Sequence, residues 1–212
     1  MEQNQELSAQ RSLELINETL DGTRKAIVRK NGVSFILWGC LLTIMSLLVY
    51  ILWKTTGSPS WNFLWFVMPL IGFPLSMIIK KKESIPVPVN MISRLLGGIW
   101  TSFCFFSLAV AALSVIFALP GASAEASNSV AVTKMFAMAN LTPSILLLFG
   151  ISETFSGVVL KNKAIAVGGF IIGVGGLAVY YISGLPIEQM LIFTLAGVVL
   201  ALTGVIVKLQ NR

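Results

Sequence analysis

The chain has 212 residues, of which 56% are hydrophobic and 11% charged, with a formal net charge of +6 and a mean hydropathy of +0.86. Soluble domains carry about 25% charged residues, so most of this chain needs no polar exterior, and a sizeable soluble domain is excluded. Histidine is absent, which removes HExxH metal sites and histidine-activated serine or cysteine nucleophiles.

The first 32 residues are polar. Within them Leu13, Ile16, Leu20 and Ile27 recur at helical spacing, while Glu14, Glu18, Asp21, Arg24 and Lys25 fall on the other faces. That pattern predicts an amphipathic helix with Ser8 as its N-cap and Gly22 as a point of interruption. Acidic residues come early and basic ones late, which suits the helix dipole. Such an arm could lie on lipid, pack beneath its own chain or dock a partner helix. Its acidic first half disfavours simple lipid binding, leaving self-association or partner docking. No basic stretch leads into a short apolar core with a small-residue cleavage site, so no secretory signal is expected.

Six apolar runs follow, each long enough to approach the roughly 20 helical residues that cross a bilayer. They are Val33–Trp53, Trp61–Ile79, Leu95–Ala118, Pro143–Leu160, Ala164–Ile182 and Ile187–Val207. The expected fold class is therefore all-α: a polytopic membrane helix bundle of six transmembrane helices in residues 33–212, preceded by a cytoplasmic arm in residues 1–32. A five-span arrangement with one segment lying flat is the competitor. Gly57, Ser58, Pro59 and Ser60 predict a tight turn, with Trp61 anchored at the interface. Pro69 and Pro74 predict kinks in the second span. Thr142 reads as an N-cap with Pro143 at the first helical position, and Gly184 and Pro186 break the chain before the last span. Cys40 and Cys104 lie in apolar runs and are expected to be buried packing residues.

Placing both termini in the cytoplasm puts 13 of the 15 basic residues inside, leaving Lys54 and Lys134 outside. The inside then carries +7 and the outside 0, with Glu153 as the remaining −1. This is the positive-inside bias, so the basic excess reports orientation and anionic lipid and not nucleic acid.

The even spans end alike, in Ser76-Met-Ile-Ile-Lys80, Gly157-Val-Val-Leu-Lys161 and Gly204-Val-Ile-Val-Lys208. Eleven positions before each lysine stand Pro69, Gly150 and Gly197, and the odd spans carry Gly39, Gly97-Gly98 and Gly168-Gly169 beside an aromatic. Three tandem hairpins of one orientation would explain this, an arrangement some transporters use. So would the ordinary use of small residues where membrane helices approach closely. In the fifth span Gly169, Gly173 and Gly176 share a face at small-xxx-small spacing and are the candidate helix-packing residues.

Glu153 is the one acidic residue deep within an apolar span, Glu188 standing at the very start of the last one. It stands eight positions before Lys161, about 12 Å along a helix, where an unpaired charge costs at least ~2.5–3.5 kcal/mol. It must face the bundle interior, be protonated or find a partner. With Ser152 and Ser156 it forms the candidate intramembrane polar site, either a proton or cation site or a hydrogen-bonded interhelical contact. Asp21 is the only aspartate, so no intramembrane aspartyl pair can form. No phosphate-binding glycine motif follows a strand. The sequons Asn17-Glu-Thr19 and Asn140-Leu-Thr142 are read as chance, being cytoplasmic and membrane-abutting. No catalytic residue, metal site or cofactor is expected, and the chain is not expected to be an enzyme.

Leu7-Ser-Ala-Gln10, Ser12-Leu-Glu-Leu-Ile16, Leu37-Trp-Gly39, Arg94 followed by Gly97-Gly-Ile-Trp100, and Ser156-Gly157 before Lys161 resemble a family of small, uncharacterised bacterial inner-membrane proteins with a short cytoplasmic helix and about six spans. The resemblance covers nearly the whole chain apart from the loop from Leu119 to Leu141. It implies a multi-pass protein of a bacterial inner membrane with both termini cytoplasmic, and it transfers no site. The expected partners are the bilayer and either a second copy or a cytoplasmic protein. The expected role is a scaffold or regulatory partner acting through the arm, with a small transporter or channel centred on Glu153 as the alternative.

Overall fold

The computed structural model describes residues 2–82, 91–118, 141–182 and 187–210, and these are helical with no strand among them. The helices are α1 (Glu2–Thr56), a 3-10 helix (Pro59–Phe66), α2 (Val67–Lys82), α3 (Met91–Ala118), α4 (Leu141–Val159), α5 (Lys163–Ile182) and α6 (Gln189–Gln210). Five segments, Gln10–Thr56, Ser60–Ile79, Met91–Leu113, Leu141–Val159 and Gln189–Gln210, are long and apolar enough to cross a membrane, while the apolar stretch Lys163–Val179 is shorter. Large side chains such as Phe63, Leu70, Met77, Phe105, Leu108 and Phe170 stand exposed on the outer surface. Water would not tolerate so much contiguous apolar area.

α1 joins the arm and the first span in one helix. It is already helical at Ser8 and runs through Gly22 without a break, so neither residue ends it as the sequence suggests. One glycine costs a helix about 1 kcal/mol, which the rest of a 55-residue helix overrides. Gly57, at φ 69°, turns the chain in the left-handed region that suits glycine. Ser58 then caps the 3-10 helix by accepting from the Ser60 N–H, and the Trp61 Nε1–H donates to Thr56 Oγ1 at 2.8 Å. Pro74 lies inside α2, whereas Pro69 falls in its first turn, where a missing N–H leaves no intrahelical bond unmade. α4 starts at Leu141, so Thr142 lies within the helix and Pro143 is its third residue.

Two helix pairs dominate, and both are antiparallel. α1 lies against α6: a methyl at Gly39 would meet Gly197 O at 2.7 Å and the Ala201 backbone, and one at Gly204 would meet Gly32 O at 2.7 Å. Ser46 Oγ and Thr194 Oγ1 bridge the same pair at 2.8 Å. α4 lies against α5 in the same way, with Gly157 on Ala166, Gly150 on Gly169 and Gly173, and Gly176 on Leu146. Backbones this close gain dispersion contacts that Leu-faced helices cannot reach.

The repeated small residues of α4 and α6 thus face the following odd span or, for α6, α1. In α2 the small face turns back to α1, because Gly72 sits under the Trp38 ring. α2 flanks α1, α3 flanks α4, and α2 and α3 do not touch each other among the described residues. Trp100, Phe103 and Phe149 join α3 to α4 with ring centroids 5.5–5.7 Å apart.

Cys40 and Cys104 are exposed on the outer surface, which corrects their expected burial. Apolar residues serve equally well against lipid and against protein, so their setting in an apolar run could not place them. The expected break at Gly184 and Pro186, and Lys134, lie outside the described residues.

Candidate functional site

Two places carry polar chemistry or unmatched surface: Glu153 within the bundle, and the arm at its basic end.

Ser152, Glu153 and Ser156 fall within little more than one turn of α4, which sends them in different directions. Ser156 is buried and its Oγ–H donates to Ser152 O at 2.7 Å, a hydroxyl satisfied within its own helix. Ser152 lines an outer groove between α3 and α4. Glu153 points the other way, into the junction of α4, α5 and α6, and its exposure is 0%. A methyl at Gly168 of α5 would run into Thr203 Oγ1 of α6 and approach Glu153 Oε1 to 3.3 Å. The structure therefore sets Glu153 beside Gly168 and Thr203, and away from Ser152.

Thr203 Oγ1 donates to Val199 O at 3.0 Å. Neither carboxyl oxygen of Glu153 has a hydrogen-bond partner among the described residues. No cationic side chain is paired with it there either. An ionised carboxylate so placed is costly, and the neutral acid is the form this setting accommodates. Neither the groove between α3 and α4 nor the one beside the turn from Thr56 to Val67 has Glu153 among its lining residues.

Gly169, Gly173 and Gly176 all face α4. A methyl at Gly169 would meet Gly150 O at 2.8 Å and the Thr154 backbone, one at Gly176 would meet Leu146 Cβ at 2.8 Å, and one at Gly173 would make ordinary contact with Gly150 at 3.5 Å. Gly168 and Thr203, which shape the Glu153 pocket, were not among the sequence candidates. Gly168 belongs to a Gly-Gly pair, a visible signal, but Thr203 is one hydroxyl among several in apolar spans and carries none.

At the basic end, the turn from α4 to α5 closes as a Schellman motif. Lys161 takes φ 53°, Asn162 N–H donates to Gly157 O at 2.9 Å and Lys161 N–H to Val158 O at 3.0 Å. Asn162 Oδ1 then caps α5 by accepting from Ile165 N–H at 3.1 Å.

The arm is tied to this turn. Arg24 Nε donates to Val159 O at 3.1 Å and its other nitrogen bonds Asp21 at 2.7 Å, while the Lys161 ammonium lies 3.7 Å from Asp21. Placing a guanidinium at the carbonyl end of α4 also suits that helix dipole. The Arg24 hydrogen bond, helped by the Lys161 charge, holds the Asp21 carboxyl below its ordinary value; Asp21 lies in the arm, outside the apolar span. Ile27 and Val28 are buried with Ile92, Leu160, Ile165 and Val207 in one apolar cluster, and Leu20 leans on it.

Further along the arm none of the described residues covers the helix. Leu13, Leu15 and Ile16 are 62%, 58% and 55% exposed. The apolar stripe that buries Ile27 and shelters Leu20 thus continues uncovered for about another turn or two, roughly 10 Å beyond Leu20 at 1.5 Å per residue. The chain matches no family model, no curated protein and no solved structure.

Proposed function

We propose that this chain is a six-span integral protein of a bacterial inner membrane, both termini cytoplasmic, that acts without catalysis as a scaffold or regulatory partner through its N-terminal arm. The observation that carries this reading is the uncovered Leu13–Ile16 stripe, held off the bundle on the same rigid helix that forms the first span. Leu13 and Ile16, large apolar side chains exposed side by side on that stripe, suit a partner surface. The helix is latched at Asp21 and Arg24, so it is ordered before any partner arrives and little entropy is lost on docking.

The test is photocrosslinking in intact cells from probes at positions 13 and 20, with Cys40 and Cys104 replaced by serine. Position 13 should give a protein adduct, position 20 should not, and Ile16→Ser should weaken the adduct from position 13 without lowering the melting temperature in detergent. A bare position 13 overturns the reading.

The second reading, a small transporter or channel in which Glu153 binds a proton or cation, draws on the two unpartnered carboxyl oxygens. Against it stand the closed, glycine-packed surroundings of that carboxyl. Proton or monovalent-cation flux in proteoliposomes that disappears in a folded Glu153→Gln variant would establish it.

A further inference from the structure

The outer surface between α3 and α4 is not smooth. A groove of about 550 Å³ runs there, lined by Leu95, Ile99 and Phe106 from α3 and by Leu148, Ile151 and Phe155 from α4. Its volume falls within the roughly 300–1,000 Å³ of small-molecule sites. Gly98 makes room for it: a methyl on that residue would meet nothing within 4 Å. At the basic end the groove reaches Arg94, an exposed side chain. No described acidic group pairs with Arg94, and the groove has no acidic lining residue. Arg94 stands in the first turn of α3, where helix N–H groups also favour an anion.

An apolar channel running along two helices, ending at a cation that no described acid pairs, complements a lipid with a long apolar tail and an anionic head. We propose that this groove binds one acyl chain of an anionic phospholipid whose phosphate pairs with Arg94. The inference rests on the membrane placement proposed above.

A second copy of the chain is the other occupant that fits an apolar groove beside Gly98 and Ser102. Two copies related by an axis along the membrane normal would bring their α3 helices together at the same depth. Their Arg94 side chains would then face each other with no described acid between them, a like-charge contact that an anionic lipid avoids. Basic pockets between helices on the cytoplasmic side are recognised settings for anionic head groups.

The experiment uses the full chain reconstituted in vesicles of phosphatidylcholine with one quarter phosphatidylglycerol. Spin-labelled phosphatidylglycerol and phosphatidylcholine report the fraction of each lipid that is motionally restricted. The unaltered protein should restrict phosphatidylglycerol in preference to phosphatidylcholine. Arg94→Gln should reduce that preference about fivefold, the effect of one basic residue near an anionic surface. Gly98→Leu should displace the restricted lipid of both kinds, and Lys54→Gln, at the other end of α1, should change neither.

A preference that survives Arg94→Gln, or restricted lipid that survives Gly98→Leu in a protein of unchanged melting temperature, overturns the proposal. So does competition by millimolar inorganic phosphate, which would mark a free-anion site. A doubled particle mass that Gly98→Leu halves would assign the groove to a second copy. A chain that fails to enter vesicles at all would instead sink the membrane placement, a separate failure.

Discussion

Glu153 and Gly168 show how single residues decide what this bundle can hold. The carboxyl fits between α4, α5 and α6 only because position 168 has no side chain, since a methyl there collides with Thr203 Oγ1. Gly168→Ala should therefore destabilise the protein by about 1–3 kcal/mol, the usual cost of overfilling a close-packed site. A lower melting temperature in detergent is the measurement. Adding Thr203→Ala removes the colliding hydroxyl and should recover much of the loss; absence of any recovery would show that the strain lies elsewhere. The burial of Glu153 was legible in the sequence, because an acid set within an apolar run has to turn inward. Its neighbours were not, because they depend on the register of two other helices, which no pattern within α4 encodes.

At the scale of elements, the helices and their order follow from apolar run length, but which face is buried does not. In water an apolar stripe marks the core; in lipid both faces are apolar and only residue size distinguishes them. Glycine spacing therefore marked the α4–α5 contact, whereas the exposure of Cys40 and Cys104 gave no sign in advance. Two glycines of α1 turn this into a contrast. Gly39 abuts the α6 backbone, while Gly22 has nothing within 4 Å of its missing side chain. Gly39→Ala must push two backbones apart and should cost 1 kcal/mol or more, whereas Gly22→Ala should stabilise the helix by roughly 0.5–1 kcal/mol. Thermal unfolding of the two variants should move in opposite directions, and equal losses would mean that α1 is interrupted at Gly22 after all.

The latch of the arm is an electrostatic element with a defined pH response. The Asp21 carboxyl is held below its ordinary value chiefly by the Arg24 hydrogen bond and then by Lys161. A lowered value means the folded arm favours the carboxylate, so its contribution is complete above the ordinary range near pH 4 and is lost as pH falls through the lowered value. A spin label at position 17 should keep constant mobility from pH 7 to 5 and loosen only below about pH 4. Asp21→Asn should be looser throughout and insensitive to pH in that window. Since the pair is solvent-exposed, added salt should weaken it as well.

The whole molecule turns on whether α5 crosses the membrane with its neighbours. Its apolar stretch, Lys163–Val179, is the short one, and taken alone it could lie flat. Its contacts with α4 say otherwise. They run from Gly157 against Ala166 at one end to Leu146 against Gly176 at the other, eleven residues of α4 or roughly 16 Å of helix. A helix fixed to α4 over that distance shares its axis, so under the membrane placement proposed above α5 would cross wherever α4 does, and the count of crossings would be even. The two termini should then lie on one side. The antiparallel contacts also gather Arg24, Lys161 and Lys208 at one end of the bundle, and under the same proposal the positive-inside bias would make that end the cytoplasmic one. In spheroplasts with both native cysteines replaced, an impermeant thiol reagent should modify cysteines at positions 3 and 211 only after lysis and one at position 56 before it. Labelling of position 211 alone in intact spheroplasts would mean that α5 does not cross, and that the shared axis with α4 is broken in the membrane.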